Sequence, residues 1–265
     1  MTESAGDAGR RLDPRLWDHD FILLKRLSAA LRAVVARHLA HLRDLTVIDY
    51  GCGSMPYRPL FDGCAGSYIG VDCAGNDCAD LQIDTRLTLP FTDSSADVVL
   101  SSEVLEHVED VGFYLGECAR VLRTSGMLLL STHGMWIYHP HPTDVRRWTR
   151  WGLRFEIERA GFVVADIIPC VGPLAYTTQL RLLLLKGLLA KLGVCGRILC
   201  APVAILCQGI MWLEDCITPS WVTADYASVY VVAARRMHRS EDQTLEPVAS
   251  FHASANSCGP RGNEQ

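Results

Sequence analysis

The sequence predicts an α/β fold, a seven-stranded, mostly parallel sheet with helices on both faces. Three observations predict it. Short apolar runs of β-type composition alternate with stretches of helical periodicity between Leu45 and Ala233, the pattern of a sheet built from crossover units. The first run, Leu45–Asp49, passes into a glycine turn at Gly51-Cys52-Gly53, and the next two end on Asp72 and Asp84. Ligands of such sheets sit at the carboxyl ends of the strands, so these positions mark the candidate site.

The elements follow in order. Residues 1–14 are expected to be disordered. From Phe21 to Leu42, Leu24, Leu27, Leu31, Val34, Val35 and Leu42 recur at helical spacing opposite Arg and Lys. This predicts an amphipathic helix packed on the core rather than on a membrane. Leu45–Asp49 is the first strand. Pro56–Phe61 follows the glycine turn as a helix start, with Pro56 suited to a first turn. Tyr68–Val71, Leu81–Ile83 and Asp97–Leu100 are the next three strands. Val111–Leu122 has helical periodicity and stops at the turn Thr124-Ser125-Gly126. Met127–Ser131 is the fifth strand. Thr149 caps a helix reaching Ala160, closed by Gly161. Phe162–Ile168 and Ser228–Ala233 complete the sheet, and 238–265 is expected to be a disordered tail.

Between the sixth and seventh strands lies an insert, about 172–226. It holds Leu180–Leu192 and the sixteen-residue stretch Ile198–Leu213, in which Gln208 is polar and Pro202 is expected to introduce a kink. A full membrane span needs about 20 apolar residues, so this stretch falls short. Two readings stay open: a buried helical hairpin, which the sequence favours, and a monotopic or re-entrant membrane contact through 180–213.

Composition narrows the function. The 265 residues are 49% apolar and 21% charged, with a net charge of −5 and a pI of about 6.0. Nucleic-acid enzymes carry a basic surplus to meet phosphates, so no nucleic-acid partner is expected. The eleven cysteines show no CxxC pattern and read as reduced, mostly buried thiols. The Cys73/Cys78 spacing suits no common zinc motif, so no metal is expected. Met1–Gly9 lacks the basic start and apolar stretch of a signal peptide, which points to the cytoplasm. The membrane reading of the insert would add contact with the inner face of the membrane.

The turn after the first strand reads Asp49-Tyr50-Gly51-Cys52-Gly53. Its glycines permit a sharp bend and close ligand approach. Asp72, nineteen residues past Gly53, can accept hydrogen bonds from ribose hydroxyls. A dinucleotide fold would place a third glycine at position 56, where Pro56 stands. Proline offers no N–H to a pyrophosphate. Asp49 would repel a phosphate but can face a cationic amino group. A nucleoside ligand without phosphates therefore fits best, and a nicotinamide-dependent oxidoreductase fits poorly.

The runs DYGCGSMPY, YIGVD, DTRLTLPFTDSSADVVLSSEVLEHVED and RVLRTSGMLLLSTHG together resemble the methyltransferase type 11 family of class I S-adenosylmethionine enzymes, across about 45–168. The resemblance implies a Rossmann-like fold, a methyltransferase domain over 15–237 and S-adenosyl-L-methionine as cofactor. It implies Asp49, Gly51 and Gly53 under the methionine part, Asp72 at the ribose and Asp84 near the adenine amino group. Ser101, Ser102 and Glu103 would line the methionine end. Met55 departs from the third glycine of many members, and Thr124-Ser125-Gly126 from their usual Pro-Gly-Gly turn.

Methyl transfer to an alcohol or phenol benefits from a base, most often histidine. The strand-end histidines His107 and His133, and the loop residues His139, His141 and Asp144, are the candidate catalytic set. His107 also reads as a helix-start residue ordering the loop beneath the cofactor. Asp144 could orient a histidine or pair with Arg147, and Arg146 and Arg147 could meet an acidic substrate group. The expected reaction is O-methylation of a small-molecule, glycan-type or lipid-linked acceptor. The alternative is a degenerate methyltransferase fold that only binds partners.

Overall fold

The computed structural model describes residues 5–84, 86–140 and 143–237. In chain order these form α1 (Ala5–Leu12), α2 (Phe21–His38), β1 (Leu45–Tyr50), a 3-10 turn (Arg58–Phe61), β2 (Ala65–Cys73), β3 (Leu81–Ile83) and β4 (Ala96–Ser102). A second 3-10 turn (Leu105–His107) leads to α3 (Val111–Val121), β5 (Leu122–His133), α4 (Arg150–Arg159) and β6 (Phe162–Cys170). The insert supplies α5 (Pro173–Ala190), α6 (Gly193–Ile217) and α7 (Ser220–Asp225) before β7 (Val229–Arg236).

The strand order is β3-β2-β1-β4-β5-β7-β6. The first five are parallel, and β7 runs antiparallel between β5 and β6. The order reverses between β1 and β4, which opens a crevice at their carboxyl ends. Side chains of the central strands are buried on both faces, as a parallel sheet covered by helices requires. One face packs Leu115, Cys118, Leu153 and Ile157 of α3 and α4 against Val99, Leu128 and Val232. The other packs Leu27, Leu31 and Val34 of α2 against Val47, Leu129 and Val231, with Ala175 and Met211 of the insert.

Local chemistry sets the boundaries. Asp110 accepts a hydrogen bond from the Phe113 N–H at 2.9 Å and starts α3; Thr149 accepts one from the Gly152 N–H at 3.0 Å and starts α4. Both are N-caps worth about 1 kcal/mol each. The helix foreseen from Pro56 is only the 3-10 turn Arg58–Phe61.

Three other expectations are corrected. The start of the chain is not disordered throughout: Ala5–Leu12 is helical, and Arg10 reaches Asp18 at 3.2 Å and Asp20 at 2.5 Å. The turn Thr124-Ser125-Gly126 does not precede β5 but lies within it. The register jumps there from Ala96↔Leu122 to Val98↔Met127, with Ser125 at a φ of 76°. The thiols are not mostly buried, since Cys73, Cys78, Cys195 and Cys216 are exposed. The tail expectation, 238–265, falls outside the described residues.

The end of β5 is tightly specified. The Gly134 N–H donates to the Ser228 carbonyl at 2.8 Å. A Cβ at this position would lie 2.3 Å from the Ala227 carbonyl oxygen and 2.7 Å from the Tyr230 ring. Gly134→Ala is therefore expected to cost about 1–3 kcal/mol, the usual range for overpacking. The urea midpoint measures it, and an unchanged midpoint would show that β7 yields there.

Candidate active site

At the carboxyl ends of β1, β2 and β4 the sheet opens into a cavity of about 690 Å³, within the range of small-molecule sites. Gly51 and Gly53 bend the chain there with φ of 83° and 52°. A Cβ on Gly51 would lie 2.5 Å from the Val104 side chain. Met55 also takes a left-handed φ of 53°, at a cost of roughly 1–2 kcal/mol. Its sulfur sits 2.6 Å from where a Cβ of Gly70 would be, so the bare backbone of Gly70 makes room for it.

Asp72, at the end of β2, ties this turn down. Its Oδ2 accepts from the Gly53 N–H at 2.9 Å and from Asn76 Nδ2 at 2.7 Å; its Oδ1 accepts from the Cys73 N–H at 2.7 Å. Asn76 Nδ2 also donates to the Gly53 carbonyl at 2.8 Å. Asp49 is 2% exposed and accepts one side-chain bond, from the Tyr68 hydroxyl at 2.6 Å. Burial pushes its pKa up to about 7, with the Tyr68 hydroxyl opposing and the Asp72 charge adding.

The other end of the cavity is organised by a buried histidine between two glutamates. His133 Nε2 lies 2.9 Å from Glu103 Oε2, and Nδ1 lies 2.6 Å from Glu106 Oε1, an ion contact off the hydrogen-bond axis. Thr132 Oγ1 donates to the second Glu106 oxygen at 2.8 Å. Burial works against the imidazolium, but the two glutamates outweigh it and raise the His133 pKa to about 10. The cation in turn holds Glu103 below its ordinary range despite burial. The two carboxylates favour the protonated form of His133, which bridges them. Glu103 sits at a φ of 56° and keeps its Oε1 buried and unbonded at the cavity wall, and such strain gathers at functional sites.

His107 and His139 both line the cavity and stack with centroids 5.1 Å apart. His107 Nδ1 bonds the Thr143 carbonyl. A carbonyl only accepts, so Nδ1 donates there, and Nε2 lies 3.9 Å from Glu106 Oε1. Burial lowers the His139 pKa; its own backbone bond opposes, while His133 and His107 push further down. Asp144 holds this loop. It binds Arg147 through both oxygens and accepts from the His139 N–H at 2.8 Å. Arg147 keeps its carboxyl well below the usual range. Asp144 and Arg147 are therefore committed to each other, as Arg147 also holds the Trp136 and Ile137 carbonyls. His141 lies outside the described residues.

Two residues foreseen at the cofactor do not reach the cavity. Asp84 is exposed and closes a turn by accepting from the Arg86 N–H at 3.0 Å, while Ile83 and Leu87 form that wall. Ser101 is fully buried against the Tyr114 hydroxyl at 2.8 Å; Ser102 and Glu103 line the cavity instead. Sequence reasoning missed Asn76, Tyr68 and Glu106. The Gly75-Asn76 pair just past Asp72 is a turn signature that could have shown Asn76. Tyr68 stands two residues before Gly70, the register partner of Asp49.

Glu106, His133 and His139 bring ligand atoms within 4.8 Å of one another, as do His107, His139 and Asp144. Each set already has an internal cation, His133 in one and Arg147 beside the other. A metal ion would have to displace it.

A strand-end carboxylate clasp, a glycine turn closed by proline and a buried acid awaiting a cation define a Rossmann-like nucleoside-binding protein. The methyltransferase domain family model matches residues 48–130. A probable S-adenosylmethionine-dependent methyltransferase of Mycobacterium tuberculosis is 31% identical over 222 residues, covering 77% of this chain and 75% of that one. The chain belongs to the class I S-adenosylmethionine-dependent methyltransferases, and S-adenosyl-L-methionine is their cofactor. A ubiquinone biosynthesis O-methyltransferase of Rhodopseudomonas palustris is 31% identical over 108 residues, 36% of this chain, and the match spans 43% of that relative's length. The solved cyclase SpnF superposes with a TM-score of 0.52 at 15% identity, over 79% of this chain and 81% of that one, a likeness of fold alone.

Asp72→Ala is expected to weaken S-adenosylhomocysteine binding by roughly 1–3 kcal/mol, the value of charge-assisted hydrogen bonds. Titration calorimetry measures it, and a folded variant with undiminished affinity would remove Asp72 from the site.

Proposed function

We propose that the chain transfers a methyl group to an oxygen atom of a small-molecule, glycan-type or lipid-linked acceptor. The observation that carries this reading is that the Asp49–Asp72 end and the His107–His139 end share one cavity. S-adenosyl-L-methionine, when bound, supplies an electrophilic methyl group on a sulfonium. The residues present suit it: Asp49 is a buried carboxyl bonded to the Tyr68 hydroxyl, and among the described residues Glu103 Oε1 has no hydrogen-bond donor. Both fit the amino group of the methionine part. Asp72 and Asn76 would hold the ribose, with Ile83 and Leu87 against the base.

On the acceptor side, His107 is the base we assign. Its tautomer is fixed by the Thr143 carbonyl, so Nε2 can take the acceptor's proton as the new bond forms. His139 stacks on its ring, and Asp144 and Arg147 position the loop. His133, already cationic, fixes Glu103 and Glu106 and takes no proton. The name of the Rhodopseudomonas relative, an O-methyltransferase of ubiquinone biosynthesis, supports transfer to oxygen.

A cofactor-consumption assay across phenols, sugars, carboxylic acids and polyprenyl-linked glycans identifies the acceptor. With that acceptor, His107→Ala is expected to lower kcat by roughly 10²–10⁴-fold, the range for a lost general base, with S-adenosylhomocysteine affinity retained. Full turnover by the variant would exclude His107 as the base.

A further inference from the structure

We propose that the α5–α6 hairpin docks on an anionic lipid bilayer and seats the protein there without spanning it. The proposal is independent of the reaction assigned above. Along 180–213 the chain carries four basic residues, Arg181, Lys186, Lys191 and Arg197, and no Asp or Glu, although the whole chain has a net charge of −5. Charge of the opposite sign is thus gathered on the most apolar segment, the complement of an anionic lipid surface.

The hairpin is not the buried one that the sequence favours. Leu184 is 72% exposed and Ile198 69%, and Leu188, Leu192, Val194 and Leu206 are exposed with them. Soluble monomers rarely leave an apolar patch of this kind uncovered. α6 is long and apolar enough to cross a membrane by length and composition, but its second half is fixed to the protein body. Gln208 accepts from the Ile22 N–H at 3.1 Å and donates to the Asp18 and His19 carbonyls. Asp215 pairs with Arg26 at 2.6 Å. These polar ties leave the turn between the helices, with Lys191 beside it, as the part that enters the bilayer. Burial in the headgroup boundary covers the leucines while Lys191 stays at phosphate level; Lys186 reaches back to His19 Nδ1 at 3.1 Å. Between the hairpin and the N-terminal segment, Leu182, Leu189 and Val203 share a cavity of about 270 Å³ with Lys186 and Arg10.

Flotation of the intact protein tests the proposal, using vesicles of phosphatidylcholine alone and of phosphatidylcholine with phosphatidylglycerol. Binding to the anionic vesicles is expected, weaker on the neutral ones and weakened by salt. Lys191→Gln should lower the anionic partition coefficient roughly 5-fold, at about 1 kcal/mol for a basic residue. Leu188→Glu with Ile198→Glu should abolish flotation while S-adenosylhomocysteine affinity persists. Should that variant lose cofactor affinity through misfolding, the wild-type comparison of the two vesicles decides alone. Absence of wild-type flotation on anionic vesicles would overturn the proposal, as would a stable dimer in sedimentation that buries the hairpin and ignores vesicles.

Discussion

The site depends on one unfavourable act of burial. Asp49 is taken out of water at the end of β1 with a single hydroxyl donor, and the Asp72 carboxylate nearby worsens its position. A carboxyl so placed stays near neutrality until a cation arrives. The charge that bears on it is the Asp72 carboxylate, so a cationic group on the ligand suits the position. This selects an amino-acid-bearing nucleoside over a phosphate-bearing one, as does the turn that Pro56 closes. The flanking strand ends hold that arrangement in place, Asp72 by tying Gly53 to β2 and Val104 by filling the space a larger residue at 51 would need.

The acceptor end uses the opposite device. There the protein brings its own cation, His133, held between Glu103 and Glu106 out of water. Breaking such a group by removing one partner typically costs about 3–5 kcal/mol, because the remaining charge is stranded. The device fixes Glu103 at the cavity wall, and Glu106 Oε1 also lies 3.9 Å from His107 Nε2. The orientation of the loop that carries His139 rests on Arg147, whose guanidinium gathers Asp144 and two backbone carbonyls.

Much of this was legible in the chain. The strands β1 to β4, the glycine turn and Asp72 announced themselves because each is a local pattern: an apolar run, a residue needing positive φ, an acid at a strand end. What escaped was set by tertiary contact. Asp84 carries the same strand-end signature as Asp72, yet the edge strand β3 is three residues long and its end turns out to solvent. Ser101 and Ser102 are adjacent, and only strand alternation decides that the first points into α3 and the second into the cavity. The role of His133 was unreadable because Glu103 and Glu106 reach it only through the β4–β5 pairing. The hairpin looked like core by composition, and only its placement on α2 shows which leucines lack cover.

The state of Asp49 is the most direct test of this account. Calorimetric titration with S-adenosylhomocysteine, just below pH 7, in buffers of differing ionisation enthalpy, reads the protons exchanged on binding. A carboxyl raised to about 7 and then met by the ligand's ammonium must ionise, so net proton release is expected, and Asp49→Asn should abolish it. A binding heat that is the same in every buffer would contradict the account.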